Sequence, residues 1–187
     1  MRAQGYSYLE LCTVIAIIAI LFGFGVPTFY QTLMRQEREL VLGQLQMAID
    51  YARQEALIRH KTVTICSSIN QKTCIQEYHL IENWSNGFII VENSKNPLTP
   101  ASQNILKVFP GTCYGKLYFK RFRQHLIIKT NGATLNDGSF YYCPLKYEQR
   151  EVDGLIINKG GRTYRPIKHP TLGIPLKNSD DDPFVCP

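Results

Sequence analysis

The chain has 187 residues, a formal net charge of +6 and 44% hydrophobic residues. Once a membrane-type helix is set aside, this length is enough for one soluble domain with a single core. The charge excess lies in residues 107–187, which carry thirteen Lys or Arg against seven Asp or Glu. Such asymmetry fits an anionic partner such as nucleic acid, but a solvated basic face is the commoner explanation.

The first predicted element is an apolar helix that starts directly after Gly5 and continues to Pro27. A secretory signal has a small-residue cleavage site after its apolar run, and none follows here. A simple anchor explains the length, which approaches the ~20 residues that span a bilayer, but it does not explain Glu10. A carboxylate costs about 2.5–3.5 kcal/mol at the centre of a membrane helix, and it therefore usually has a partner.

This front segment resembles the class III signal of type IV pilins and type II secretion pseudopilins. Gly5, Tyr6 and Glu10 match the pattern Gly-aromatic-x-x-x-Glu, with Tyr6 in place of the usual Phe. The resemblance implies that residues 1–5 are a leader, which a prepilin peptidase removes before it methylates the amine of Tyr6. It also implies that residues 6–27 form a transmembrane helix and later the filament core, with Glu10 as an assembly residue.

Glu10 has a physical role in such a filament. After cleavage, the amine of Tyr6 is a cation four residues from this carboxylate. In a filament of parallel helices, Glu10 of one subunit can meet the amine of the next, and removing one partner of a buried pair costs roughly 3–5 kcal/mol. The pair would therefore set the register between subunits. An uncleaved membrane anchor remains the alternative.

Residues 28–60 are predicted to form an amphipathic helix that packs on the soluble domain. Apolar residues recur there at spacings of three and four, and charged or polar residues fill the other face. This period is typical of a helix with one face on a core. Residues 6 to 59 would then form one helix about 80 Å long, at 1.5 Å per residue.

Residues 61–187 are predicted to be a β-rich periplasmic domain with a disulfide-tied basic tail. Short β-branched and aromatic runs alternate with Asn-Gly, Asp-Gly and Gly-Gly turns. Seven strands are predicted, at residues 62–68, 86–93, 105–110, 116–122, 125–134, 138–145 and 154–162. This spacing suggests two packed antiparallel sheets. The predicted fold class is α+β, the type IV pilin fold, with a long N-terminal helix and a C-terminal β-sandwich.

Later motifs narrow the resemblance to the FimT/FimU/GspH group of minor pilins and pseudopilins. The stretch YARQEALIRHKTVTICSS, the run from Trp84 to Gly87 and the late Gly161-Arg162 fit that group's pattern. The resemblance implies a bacterial inner-membrane protein that joins other minor and major pilins and helps to prime pilus assembly at the tip. Two alternatives stay open, namely a DNA-binding minor pilin for natural transformation and a GspH-like minor pseudopilin of type II secretion.

Five of the six cysteines lie in the predicted soluble domain. None forms a Cys-x-x-Cys pair and no His stands at zinc-finger spacing, which argues against a structural zinc and favours disulfides in an oxidising compartment. The pairings we expect are Cys66 with Cys74, which would pin a short loop, and Cys143 with Cys186, which would fasten the tail. Cys113 would then be the odd thiol, and we expect it to be buried.

Nothing in the sequence predicts catalysis. The four histidines have no carboxylate or nucleophile at a telling spacing, and no phosphate loop, hydrolase or metalloprotease motif occurs. We therefore expect no enzymatic activity, no cofactor and no metal.

The tail sequence NKGGRTYRPIKHP, residues 158–170, combines cations with an aromatic residue. Such a segment suits phosphate contacts and base stacking on a single strand. Its candidate DNA-binding residues are Lys159, Arg162, Tyr164, Arg165 and Lys168.

Some FimT-type minor pilins bind DNA through a Gly-Arg-x-Arg tail, and the present spacing from Gly161 to Arg165 is one residue longer. In an extended segment, that extra residue would turn Arg165 to the opposite face. The alternative is that Gly161 and Arg162 close the last strand while the tail packs on neighbouring pilins.

Overall fold

A computed structural model of the chain describes residues 7–75, 81–93, 104–120, 125–145, 152–169, 173–176, 183–184 and 186, without the side chains of residues 24–28. One helix, α1 (Tyr8–Arg59), accounts for the first 52 residues of the fold. It ends at His60, which adopts the left-handed conformation with φ of 52°. This conformation is a common helix terminator because the backbone can then turn away from the helix axis.

Eleven short strands follow α1 in the described residues, and every pairing between them is antiparallel. They are β1 (Thr62–Ser67), β2 (Ile81–Asn83), β3 (Phe88–Asn93), β4 (Ile105–Phe109), β5 (Gly115–Lys120), β6 (Leu126–Ile128), β7 (Gly138–Pro144), β8 (Asp153–Ile157), β9 (Thr163–Tyr164), β10 (Ile167–Lys168) and β11 (Pro175–Leu176). The seven predicted strands correspond to β1 and β3–β8. The other four have only two or three residues each, too few to show a period.

The strands form two main sheets, in the orders β4-β3-β1-β6 and β2-β5-β7-β8-β9, and a separate pair, β10-β11. The second half of α1 packs against both main sheets. A long N-terminal helix followed by antiparallel sheets is the predicted class, which the structure confirms.

The main core lies between α1 and the inner faces of the two sheets. Trp84 sits at its centre, with its ring 5.6 Å from Phe88, 5.3 Å from Phe119 and 4.9 Å from Phe140. Offset and edge-to-face contacts of this kind each add about 0.5–1.5 kcal/mol beyond the area buried. The helix contributes six fully buried side chains to this core, those of Leu42, Leu45, Ala48, Ile49, Ala52 and Ala56.

Two smaller apolar clusters cover the outer faces of the sheets. On the first sheet, Ile89 and Val91 pack with Cys66 and Cys74. On the second sheet, the cluster contains Cys143, and the C-terminal residues Phe184 and Cys186 lie on it. A disulfide cysteine lies in each of these outer clusters, Cys74 on the first sheet and Cys186 on the second.

Candidate assembly helix and basic segment

The N-terminal half of α1 carries ten large apolar side chains that nothing in the described chain covers. They are between 46% and 82% exposed and comprise Tyr8, Leu9, Leu11, Val14, Ile15, Ile17, Ile18, Ile20, Leu21 and Phe22. A contiguous apolar surface of this size indicates a contact with another protein or a membrane. Within the described residues, no helix combines the length and the hydropathy that a membrane crossing requires. The predicted span, residues 6–27, extends beyond those residues and stays a prediction.

Glu10 lies in the first turn of α1, where a carboxylate interacts favourably with the helix dipole. Its side chain is exposed, and no described residue pairs with its carboxylate. Its main-chain carbonyl accepts a hydrogen bond from the Thr13 hydroxyl at 2.8 Å. Gly5 and Tyr6 lie outside the described residues, so leader cleavage, methylation and the pairing of the Tyr6 amine with Glu10 stay predictions.

Glu37 is a polar anchor of α1 on the domain. One carboxylate oxygen accepts the backbone N–H of Cys113, and the other accepts the backbone N–H of Tyr114 at 2.9 Å and the hydroxyl of Tyr142. Burial raises the pKa of the Tyr142 hydroxyl, and its hydrogen bond to Glu37 raises that pKa further. One helix side chain thus fixes both the loop before β5 and strand β7. Tyr30, about two helical turns before Glu37, makes a T-shaped contact with Tyr114 at 5.9 Å between ring centroids.

The structure forms both disulfides that we expected from the sequence. Cys66–Cys74 closes the loop after β1, where the Ser68 hydroxyl donates to the Thr73 carbonyl at 2.7 Å. Cys143–Cys186 ties the C-terminus to β7. Cys186 is thereby held near Phe184, which is fully buried.

The expected burial of Cys113 is wrong, since this free cysteine is exposed. Cys113 lies in the turn between β4 and β5, where its backbone N–H is directed at Glu37. The local sequence does not reveal this anchor, because Glu37 is 76 residues away along the chain.

Gly161 of the late Gly-Arg motif is required by packing. It has φ of +76°, and a Cβ at this position would lie 2.7 Å from the carbonyl oxygen of Gly132 and 3.0 Å from Nε of Arg53. That Arg53 Nε donates to the same carbonyl at 3.0 Å, which joins α1 to the turn after β6. A larger residue would therefore be both strained and in collision with backbone.

The structure separates Arg165 from the other predicted DNA-binding residues. Its guanidinium donates to Asp153 Oδ2 and to Glu39 Oε2, each at 3.0 Å, and so it joins β8 and α1. Cross-strand neighbours share a face, so Tyr164 lies with Ile156 on the outer side of the sheet, while Arg165 lies on the side of α1.

Lys159, Arg162, Tyr164 and Lys168 are exposed, with Tyr164 at 50%. Lys159 and Arg162 lie in the turn after β8, where the Arg162 backbone N–H donates to Asn158 Oδ1 at 3.0 Å.

A neighbouring cation that sequence reasoning did not find is Lys129. The turn that begins at Lys129 lies beside the turn after β8, because the Thr134 N–H donates to the Lys159 carbonyl at 3.0 Å. This adjacency depends on a pairing between distant turns, which no local motif signals. No group of three or more His, Cys, Asp or Glu residues in the described part of the chain is arranged to hold a metal ion.

A long helix that is bare in its first half and carries antiparallel sheets on its second half defines a pilin-type protein, of the class that includes minor pilins and pseudopilins. A protein-family model described as type II transport protein GspH matches residues 42–161. This range is more than half of the chain, and the chain therefore belongs to the GspH family. The match begins at Leu42, the first fully buried residue of α1, and ends at Gly161.

One solved structure shows the same fold, and a second shows partial similarity. The type IV minor pilin FimU of Pseudomonas aeruginosa is similar with a TM-score of 0.54 and 20% identity, over 74% of this chain and 96% of that one. The minor pseudopilin EpsH from the Type 2 Secretion System of Vibrio cholerae has a TM-score of 0.48 and 10% identity, over 69% of this chain and 95% of that one. No curated protein matches the chain.

Proposed function

We propose that the chain is a minor pilin of a type IV pilus, which enters the filament through the N-terminal half of α1 and helps to prime assembly at the tip. The observation that carries this proposal is the uncovered apolar half of α1 with Glu10 in its first turn. Apolar side chains of this number need a membrane before assembly and other helices after it. The role is structural, with other minor and major pilins as partners and no catalysis.

The proposal includes the cleavage and methylation of the N-terminus. A prepilin peptidase cuts after Gly5 and methylates Tyr6, while residues 6–27 hold the chain in the bacterial inner membrane as a single pass. Residues 61–187 then lie in the periplasm. Two disulfides support this side of the membrane, because such bridges persist in oxidising compartments.

The direct test is full-length Glu10→Gln in cells that carry the native pilus genes, with Thr13→Ala on the same helical turn as the control. A buried charge pair that loses one partner costs roughly 3–5 kcal/mol, which is a hundredfold or more in assembly. We expect the variant to stay in the membrane fraction and to disappear from sheared filaments, while Thr13→Ala assembles. Filament incorporation of Glu10→Gln at the wild-type level would contradict the proposal.

DNA uptake is the second candidate, supported by the exposure of Lys159, Arg162, Tyr164 and Lys168. DNA affinity of the full chain in detergent would be measured across a salt series. If the segment binds DNA, replacing Lys159, Arg162 and Lys168 with Gln lowers the salt slope by about 0.9 per lost phosphate contact on duplex DNA. Arg165→Gln is the matched control and leaves the slope unchanged, because Arg165 is held by Asp153 and Glu39. Equal losses from both variants, or no binding, would exclude this site.

A minor pseudopilin of a type II secretion system is the third candidate, supported by the description of the matched family. Deletion of the gene separates the two assemblies. Loss of pili with normal protein secretion supports the pilus, and loss of secretion with normal pili supports the pseudopilus.

A further inference from the structure

The outer face of the second main sheet is apolar and lies beneath a short segment of the tail. Tyr118, Tyr141, Val152 and Ile156 are buried there, in a cluster that is separate from the main core. Phe184 belongs to the same cluster and is fully buried. A contiguous apolar patch on a protein surface favours association with other molecules, so its burial under the tail keeps this face out of contact.

The segment that covers this face consists, among the described residues, of Pro183, Phe184 and Cys186, which we call the strap. Its aromatic ring lies against the sheet at Gly154, where a Cβ would be 3.4 Å from two ring atoms of Phe184. The same ring lies 5.3 Å from the ring of Tyr141. Burial raises the pKa of the Tyr141 hydroxyl to about 12, as expected for a group shielded from water.

The disulfide Cys143–Cys186 fastens the strap to β7, across a sequence separation of 43 residues. The strap is also held by non-covalent contacts, which include a hydrogen bond from the Phe184 backbone N–H to the Pro175 carbonyl at 3.2 Å. A short segment can open locally at a lower free energy than the whole domain. Loss of the covalent bond is therefore enough to free the strap without unfolding the sheets.

The two disulfides differ in their access to a reductant. All four bonded cysteines are described, and Cys66, Cys74 and Cys143 are buried whereas Cys186 is partly exposed. A thiolate has to reach a sulfur atom in order to break a disulfide, so the rate of reduction depends on this access. The bond that fastens the strap is thus the one that a reductant reaches first.

We propose that Cys143–Cys186 is a redox-controlled fastener, which a dithiol opens to uncover the outer face of the second sheet while the main core stays folded. A thiolate of the dithiol attacks Sγ of Cys186 and forms a mixed disulfide, and Cys143 leaves as a thiolate that takes up a proton. The second thiol of the dithiol then attacks its own sulfur in the mixed disulfide, which releases Cys186 as a thiol. Two electrons pass to the chain, which gains two thiols, and the dithiol becomes a disulfide.

The state of this bond decides which surface the domain presents. In the oxidised chain the strap covers Tyr118 and Tyr141. In the reduced chain the same face becomes a contiguous apolar surface that favours contact with other proteins. The fastener acts within one chain, and the inference therefore goes beyond the proposed function and does not depend on pilus assembly.

The first test maps which bond a dithiol reduces. The full-length protein in detergent is treated with dithiothreitol without denaturant, then quenched, denatured and alkylated at intervals for mass spectrometry. Cys113, which is free in the folded chain, gives the full labelling level. We expect the thiols of Cys143–Cys186 to appear roughly tenfold faster than those of Cys66–Cys74, because the buried bond has to wait for a local opening. Equal rates, or the opposite order, would overturn the proposal.

The second test measures which side chains become accessible after this limited reduction. Hydroxyl-radical footprinting compares Tyr141 with its neighbour Tyr142, which lies in the main core and donates to Glu37. We expect the oxidation of Tyr118 and Tyr141 to rise severalfold and to fall again after reoxidation. Tyr142 and Trp84 should stay protected throughout. An unchanged Tyr141 would show that the strap stays in place without the bond, and exposure of Trp84 would show that the core unfolds, and either result would overturn the proposal.

Matched variants separate the two bonds without a reductant. Cys143→Ser with Cys186→Ser should give the footprint of the reduced chain. Cys66→Ser with Cys74→Ser, which removes the other bridge, should leave Tyr141 protected. If the first pair of substitutions also exposes the main core, the bond holds the whole domain and is not a fastener. Identical footprints for the two double variants would likewise contradict the proposal.

Discussion

The two halves of α1 share one continuous backbone and differ in what covers them. Between Tyr8 and Phe22 every large apolar side chain is exposed, whereas from Leu42 to Ala56 six apolar side chains are fully buried. The first half is apolar around its whole circumference, and the second half has a buried stripe. The contrast teaches that folding of the domain depends on the second half, while the first half acts only through other molecules.

The largest expected effect tests this separation directly. Leu45→Ala should destabilise the domain by about 2–5 kcal/mol, because it leaves a cavity in the main core. Ile17→Ala, on the bare half, should leave domain stability unchanged while it weakens assembly. Denaturant unfolding of the full chain in detergent measures both. Similar losses of stability would show that the two halves are coupled.

The boundary between the halves gives the next largest effect. Glu37→Gln replaces a carboxylate that accepts hydrogen bonds from Cys113, Tyr114 and Tyr142, and it should cost about 1–3 kcal/mol. Glu39→Gln is the control two residues further on, where the exposed pair with Arg165 contributes at most about 1 kcal/mol. Thermal unfolding of both variants compares them. If the two changes cost the same, Glu37 does not hold α1 on the domain more strongly than the exposed pair of Glu39 with Arg165 does.

Gly43 tests the side of the docked half of α1 that the domain leaves open. Gly43→Ala should stabilise the isolated chain by about 0.5–1 kcal/mol, because the new methyl group meets open space and alanine favours the helix. A melting curve checks it, and a lower melting temperature would contradict the open packing at this position.

The smallest expected effect is a dependence of stability on pH at Glu92, which pairs with Arg59 and Lys61 at the C-terminal end of α1. The hydrogen bond from Lys61, together with Arg59, lowers the pKa of Glu92 below its usual 4.5. A lowered folded-state pKa means that this stabilisation is complete above pH 4.5 and is lost as the pH falls through the folded-state pKa. Glu92→Gln should therefore lower the melting temperature at pH 7, and its difference from the wild type should shrink as the pH falls through the folded-state pKa. A difference that stays constant throughout an acid titration would rule out this linkage.

Most of the architecture was predictable from local patterns. Cys143–Cys186 was predicted because a chain terminus frays unless it is tied down. The period near 3.6 predicted α1, alternation and turn pairs predicted seven of the strands, and the short loop between Cys66 and Cys74 predicted the other disulfide. These features depend on residues that are near one another along the chain or that repeat. The strands β2, β9, β10 and β11 were missed because their pairing depends on neighbours in the sheet and not on their own length.

The candidate site was less predictable than the fold. Arg165 was assigned to a DNA-binding segment, yet its guanidinium pairs with Glu39, which is 126 residues away. Cys113 was expected to be buried, but the anchor at Glu37 fixes the backbone of its turn and the thiol lies outside.

The sequence by itself determined the class of this protein, because the front segment, the helical period and the β-strand alternation are local properties that survive without any tertiary contact. Only the tertiary structure decided which cations of the tail are available, and it placed Lys129 beside Lys159. It also showed that Leu40, Gly43 and Met47 stay uncovered when the opposite face of α1 is buried. The accessibility of a side chain depends on which distant segments pack together, and a local sequence pattern does not show this.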